Sequence, residues 1–273
     1  MQAIYIPIQS LHPFAGHPYK VQDNDEMNRL IESIQEQGVL TPLIVRPLED
    51  TAAEYEVISG HRRLRAAQKA GLKEVPAFIH AVDRDEAAIQ LVDSNLHREH
   101  LLPSEKAFAY KLKLDALDHR GRSYGQAGHK SRDFVSETES GRQVQRYIRL
   151  THLLPGLLDL LDKGRIAFTV GVELSYLSNE EQRAVLEAIE LYDCTPSYSQ
   201  ACRMHRESEA GGVRNRIEAI LAEEKPNQRE KVSFQYEQLR RYFPSDYTPK
   251  QMTESILQLL ERERRRRLDR DAR

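Results

Sequence analysis

The spacing of apolar positions changes character along this chain, and each change predicts an element. Residues 4–8 (IYIPI) read as a short strand, followed over residues 12–25 by a loop rich in His, Pro and Asp. Met27, Leu30, Ile31 and Ile34 fall on one helical face, and Gly38 ends that helix. Residues 43–45 and 55–58 read as strands joined by a polar turn at Glu49-Asp50. A helix is expected from Arg62 to Ala70, a strand over residues 76–79, and a helix marked by Ala87, Ala88, Leu91 and Val92. Strands alternating with helices predict a small α/β domain over residues 1–100.

After Leu101 the strand pattern stops. Pro103-Ser104-Glu105 looks like a helix start, and that helix runs to about His119. Residues 121–130 read as a loop, and helices then succeed one another to about residue 207. Leu153, Leu154, Leu157, Leu158 and Leu161 are expected in the core. Thr195-Pro196, a cap residue followed by Pro, is expected to open a helix. Gly211-Gly212 and Lys225-Pro226-Asn227 are linker candidates. Residues 228–273 read as a separate module with a strand-like piece at 232–234, a turn near Pro244 and a last helix from Pro249. The fold class expected is therefore multidomain α+β. A small α/β domain (1–100) precedes an all-α domain (101–210) and a mostly helical C-terminal module (228–273).

Composition supports modularity. Among 273 residues, 30% are charged, 7% are aromatic and there is no Trp, which suits helix-rich modules better than one large enzyme core. The formal net charge of −2 conceals segregation along the chain. Residues 119–152 hold seven Lys/Arg against three Asp/Glu, whereas residues 172–194 hold six acids against one Arg. One region is built to meet an anion and another to avoid it. No apolar run approaches the ~18 residues of a membrane span, and no N-terminal signal pattern appears, so a cytoplasmic protein without membrane association is expected. Cys194 and Cys202 form neither a disulfide framework nor a metal knuckle.

Residues 57–71 (VISGHRRLRAAQKAG) crowd Arg62, Arg63 and Arg65 onto the first turn of a helix, the end that already carries the positive pole of the dipole. That makes sense where an anion such as phosphate sits against Gly60 and the open N–H groups. A solvated basic face is the alternative from charge alone. Residues 92–105 (VDSNLHREHLLPSE) add Asn95, His97, Arg98 and Glu99 just before a Pro-initiated helix. His97 and His100 lack further ligand spacing, so no zinc site is expected.

At these stretches the chain resembles the ParB partition proteins. GHRRLRAAQKAGL is similar to that family's GERRxRAA box, and SNLHREHLLPSEKA to its ENxQRExLxPxEEA box. MNRLIESIQEQGVLTPLIVRP resembles the stretch before the first box. The resemblance implies an N-terminal domain that binds CTP with Mg²⁺. By position it places Gly60, His61, Arg62 and Arg63 at the phosphates, with Asn95 and Arg98 beside them, Asn95 as the metal-side group and Thr41 near the base. Two acidic positions of the boxes are His61 and Ser94 here, which removes carboxylates that Mg²⁺ favours. A weak CTPase activity is left open. The family's Gln-Pro-Arg loop appears as His17-Pro18-Tyr19.

Residues 131–152 (SRDFVSETESGRQVQRYIRLTH) read as helix, Gly-containing turn and helix. Phe134 and Val135 would pack inward on the first helix; Val144, Tyr147 and Ile148 would do so on the second. The second helix then shows Arg142, Gln143, Gln145, Arg146 and Arg149 outward, residue types that read bases and phosphates of double-stranded DNA. This too resembles the family's helix-turn-helix, with Arg120, Arg122 and Lys130 as phosphate contacts at most. The acidic helix at 179–193 would face away from DNA. Tyr176, Tyr192 and Tyr198 are expected as packing residues. Met252, Ile256, Leu259 and Leu260 form a stripe suited to a homodimer, with the Arg264–Arg267 run on the exposed end.

The expected function is site-specific DNA binding for chromosome, plasmid or mobile-element partition, with a nucleotide switch closing the N-terminal domains around DNA. The expected location is then on the nucleoid or a plasmid, and partition would also need a ParA-type ATPase. The alternative is a helix-turn-helix transcriptional regulator with a degenerate pocket. A sulfiredoxin-like phosphotransferase would need a Cys beside the arginine box, and Ser59-Gly60-His61-Arg62 offers none.

Overall fold

The chain opens on β1 (Ile4–Pro7), passes a 3₁₀ turn and enters the short β2 (Leu11–Pro13), where the sequence pattern had indicated a loop. In the computed structural model the described residues are 2–49, 51, 53–96, 98, 101–120, 135–136, 139–211, 214–223, 241–244 and 247–271. They divide into two units, Met1–Glu223 and Glu224–Arg273.

Five strands form one mixed sheet in the order β1-β5-β3-β4-β2, with β3 at Leu43–Pro47, β4 at Tyr55–Ser59 and β5 at Glu74–Ile79. β3 and β4, both expected as strands, pair antiparallel, while β3 also runs parallel to β5, and β2 parallel to β4. Alternation along β4 sends successive side chains to opposite faces. Val57 packs with α1 (Asp25–Gln37) and α2 (His61–Lys69) in a core containing Met27, Ile34, Leu64 and Ala67. Its neighbour Ile58 joins Leu91, Val92, Ala109 and Ala116 from α3 (Arg84–Leu96) and α4 (Pro103–His119) on the other face. Asn24 caps α1 by accepting from the Met27 N–H, and Gly38 ends it at φ 71°.

From α4 onward the described secondary structure is helical: α5 (Gly141–Arg149), α6 (Pro155–Asp162), α7 (Phe168–Leu174), α8 (Asn179–Tyr192), α9 (Tyr198–Glu209) and α10 (Ile217–Ala222). Leu150, Leu157, Leu174, Val185, Met204 and Ile220 share their core. Leu154 is the N-cap of α6 and is only half-buried. α9 starts after Thr195-Pro196, because Ser197 accepts from the Gln200 N–H while the Gln200 side chain accepts from the Ser197 N–H. This reciprocal box satisfies two end donors, which a Thr followed by Pro does not.

In the second unit, α11 (Pro249–Asp271) begins with Thr248 and Gln251 in the same reciprocal arrangement. Met252 is buried, whereas Leu257, Leu259 and Leu260 stand 60–62% exposed. The strand expected at 232–234 lies outside the described residues. Among the described residues no helix is long and apolar enough to cross a membrane.

Candidate functional site

The site forms where β4 turns into α2. Gly60 makes that turn at φ 104° and ψ 22°, a left-handed conformation that favours glycine. A Cβ there would lie 3.0 Å from Leu43 Cγ and 3.2 Å from Arg63 Nη2, so space demands glycine as well. Gly60 is the N-cap of α2 and has no side chain to offer. The first N–H groups of α2 therefore face outward without an intrahelical partner, a ready cradle for phosphate.

Two further segments converge on this turn. Asn95, at the end of α3, is buried, and its Nδ2 donates to the Leu91 carbonyl (2.7 Å) and to Ser94 Oγ (3.1 Å). Its Oδ1 remains as an acceptor. Arg98 follows three residues later with its guanidinium 5.7 Å above the Tyr19 ring. The β2–α1 connection supplies His17, Tyr19 and Lys20. Together with Gly60, His61, Arg62 and Arg63, these residues line a cavity of about 260 Å³. A second cavity, also about 260 Å³ and more apolar, shares His17, Val21 and His61 with the first. Thr41 is not on the wall of either, but its carbonyl accepts from Arg63 Nη1, which also donates to the Pro42 carbonyl at 2.7 Å.

Internal acids answer part of the positive charge. Arg62 pairs with Glu26 at 2.9 Å, both of them exposed. Lys69 (2.7 Å) and Arg65 (3.3 Å) share Asp23, whose carboxyl they hold below its usual value. Arg65 thus serves the α1–α2 packing, and Arg63 and Arg98 are the cations of the cavity without a carboxylate partner among the described residues.

The His17 and His61 rings stack with centroids 3.8 Å apart at 40°. His17 Nδ1 donates to the Tyr19 carbonyl at 2.8 Å, and His61 Nε2 accepts from the Phe14 N–H at 3.4 Å. These partners place the His61 proton on Nδ1. Burial, reinforced by His17 and Arg98, pushes the His61 pKa down to about 3, and burial lowers His17 too. Both rings are neutral at pH 7. Burial also raises the Tyr19 phenol, whose hydroxyl donates to the Val92 carbonyl at 3.4 Å.

The donor set suits a polyphosphate: open N–H groups, guanidinium forks and a neutral N–H from His61. It does not suit Mg²⁺ held by the protein. No carboxylate lines the cavity among the described residues, and those residues hold no group of three or more His, Cys, Asp and Glu able to bind a metal. Asn95 offers one neutral oxygen. His97 and Glu99 lie outside the described residues.

The expected DNA-reading residues sit on α5, which Ser140 caps by accepting from the Gln143 N–H. Val144 is buried with Tyr110, Leu117 and Val135, fixing which face turns in. The structure separates the outward residues by their partners. Arg142 is exposed. Arg146 bonds Gln143 at 3.2 Å and lies 5.0 Å over the Phe168 ring. Arg149 donates to the Ser175 carbonyl at 2.8 Å and lies 4.1 Å over Tyr176. Tyr176 in turn stacks on His205 at 4.2 Å, and His205 contacts Glu173 at 2.7 Å. Sequence reading missed this Arg149–Tyr176–His205–Glu173 chain, since its members are far apart in sequence. Tyr176, Tyr192 and Tyr198 are 46%, 42% and 55% exposed, and Tyr176 packs between Arg149 and His205. The helix expected over residues 131–139 and the contacts at Arg122 and Lys130 fall largely outside the described residues.

Residues 1–96 match the family model "ParB N-terminal domain". The chromosome-partitioning protein ParB of Caulobacter vibrioides is 37% identical over 133 residues, covering 48% of this chain and 43% of that protein. The chromosome-partitioning protein Spo0J of Thermus thermophilus is 36% identical over 165 residues, covering 60% and 56%. The chain thus spans about half the length of these relatives. A crystal structure of C-terminally truncated ParB from Caulobacter crescentus complexed with CTP-gamma-S is 27% identical over 70% of this chain and 99% of that one, at a TM-score of 0.34.

Proposed function

We propose, from the match of residues 1–96 to the ParB N-terminal domain model, a nucleotide-switched DNA-binding protein of the partition type. One observation carries the reading. Gly60, His61, Arg62 and Arg63 meet Asn95 and Arg98 around a single cavity, although over thirty residues separate the two boxes. The cavity binds the triphosphate of CTP at the N-terminus of α2, with Arg63 and Arg98 as its cations. Mg²⁺, where present, arrives on the phosphates. CTP is chosen over other nucleotides by the resemblance of the two boxes.

Double-stranded DNA is met by α5. Arg142 and Gln145 point to it directly, and Gln143 and Arg146 act as a pair. Arg149 sets the helix in place from behind. The exposed leucines of α11 support a homodimer, and partition requires a ParA-type ATPase as partner. The setting is cytoplasmic, on the nucleoid or a plasmid. A second reading has one observation in its favour. His61 and Ser94 leave the cavity without carboxylates, which fits a static helix-turn-helix regulator.

Retention on DNA separates the two. A clamp closed by CTP stays on closed circular DNA carrying its site and runs off the ends of linear DNA. Equal retention on both forms, unchanged by CTP, would select the static regulator.

A further inference from the structure

We infer that the cavity at Gly60 takes the nucleotide as its metal-free polyphosphate, neutralised by the protein's own cations and N–H groups. This rests on the nucleotide reading above and deepens it. Mg²⁺ requires a near-octahedral shell of oxygens and is usually held by carboxylates together with substrate phosphates. The wall of this cavity supplies donors instead. Among the described residues, the carboxylates that reach Lys20 and Arg62 of this wall are already paired: Asp162 accepts from Lys20 Nζ at 2.9 Å, Glu26 from Arg62 at 2.9 Å, and Glu105 from the Lys20 and Leu102 N–H groups at 2.8 and 3.1 Å.

The two positions where acids would sit in the resembling boxes behave in the same way. His61 accepts from Phe14 at Nε2, so its free Nδ1 bears a proton, donates to an anion and cannot ligate a cation. Ser94 is turned back on its helix and donates to the Leu91 carbonyl at 3.0 Å. Arg63 and Arg98 therefore meet bare phosphate charge. Mg²⁺ on the phosphates would withdraw that charge while finding little to hold it on the protein.

Calorimetric titration of the full chain with CTP, in EDTA and in Mg²⁺, tests this. Binding in EDTA as tight as in Mg²⁺, or tighter, is expected, with inorganic triphosphate competing in EDTA. The variant His61→Glu should bind at least about tenfold more weakly than wild type in EDTA, with Mg²⁺ recovering part of the loss. Ser94→Asp should behave alike, and circular dichroism confirms that both variants fold. Wild-type binding that appears in Mg²⁺ and vanishes in EDTA would overturn the inference while leaving the nucleotide reading intact. Loss of that metal dependence in Glu99→Gln would then identify the carboxylate responsible. Unchanged EDTA binding in both acidic variants would also overturn it. Absence of CTP binding in either buffer would overturn the nucleotide reading and this inference together.

Discussion

His61 should make the fold acid-labile in a way that can be measured. Its folded pKa is about 3 against an ordinary 6.5, because the ring is buried beside His17 and near Arg98. Between those two values the unfolded chain binds the extra proton and the folded chain does not. Stability is therefore full above pH 6.5 and is lost as pH falls from there toward the folded value. Over the roughly 1.5 pH units down to pH 5, at about 1.36 kcal/mol per unit, this one ring costs about 2 kcal/mol. His17, lowered in the same direction, adds to the effect. The perturbation is His61→Gln, which keeps an acceptor for the Phe14 N–H and does not titrate. Chemical denaturation followed by circular dichroism at pH 7.5 and pH 5 suits a chain without Trp. Wild type should lose about 2 kcal/mol more than the variant between the two pH values. Parallel losses would refute the reasoning and place His61 in contact with water.

Gly60→Ala should destabilise the fold by about 1–3 kcal/mol, through φ 104° and contact with Leu43, and should weaken nucleotide binding; denaturation and titration check the two effects. Glu56→Ala should cost about 3–5 kcal/mol by denaturation, because it strands the buried Arg46 (Nε–Oε2 2.8 Å) and releases the Ala15 N–H. Arg142→Ala should weaken DNA binding while moving stability by less than about 0.5 kcal/mol. Arg149→Ala should lower stability by about 1–2 kcal/mol, since it leaves the Ser175 carbonyl and the Tyr176 ring.

Sequence pattern located most elements because their punctuation is local. Gly60 and Gly71 bracket α2, Pro103 opens α4 and Pro249 opens α11. The short β2 escaped because three residues have no period of their own; their strand exists only through parallel pairing with β4. Thr195-Pro196 misled because a stronger cap lay two residues on. At the site, the two boxes identified the residues that converge. What they could not reveal is how their charge is shared. Asp23 and Glu26 reach Arg65 and Arg62 only because α1 packs on α2. The His17–His61 stack likewise depends on a loop folding back over some forty residues. On α5, helical spacing alone made one face of five polar residues, and only packing against α7 and the following turn separated Arg149 from Arg142.

The measurement nearest the central claim is equilibrium binding of CTP to the full chain, with ATP, GTP and UTP alongside, in wild type and in Arg98→Ala. Arg98 is exposed, and among the described residues its guanidinium lies over the Tyr19 ring, so its loss should leave the fold intact, whereas Arg63 also ties down the Thr41 and Pro42 carbonyls. Selective CTP binding, weakened at least about tenfold in Arg98→Ala while DNA binding persists, is the result predicted. Wild-type affinity for CTP in Arg98→Ala, or no nucleotide binding by a folded wild-type chain, would contradict the account.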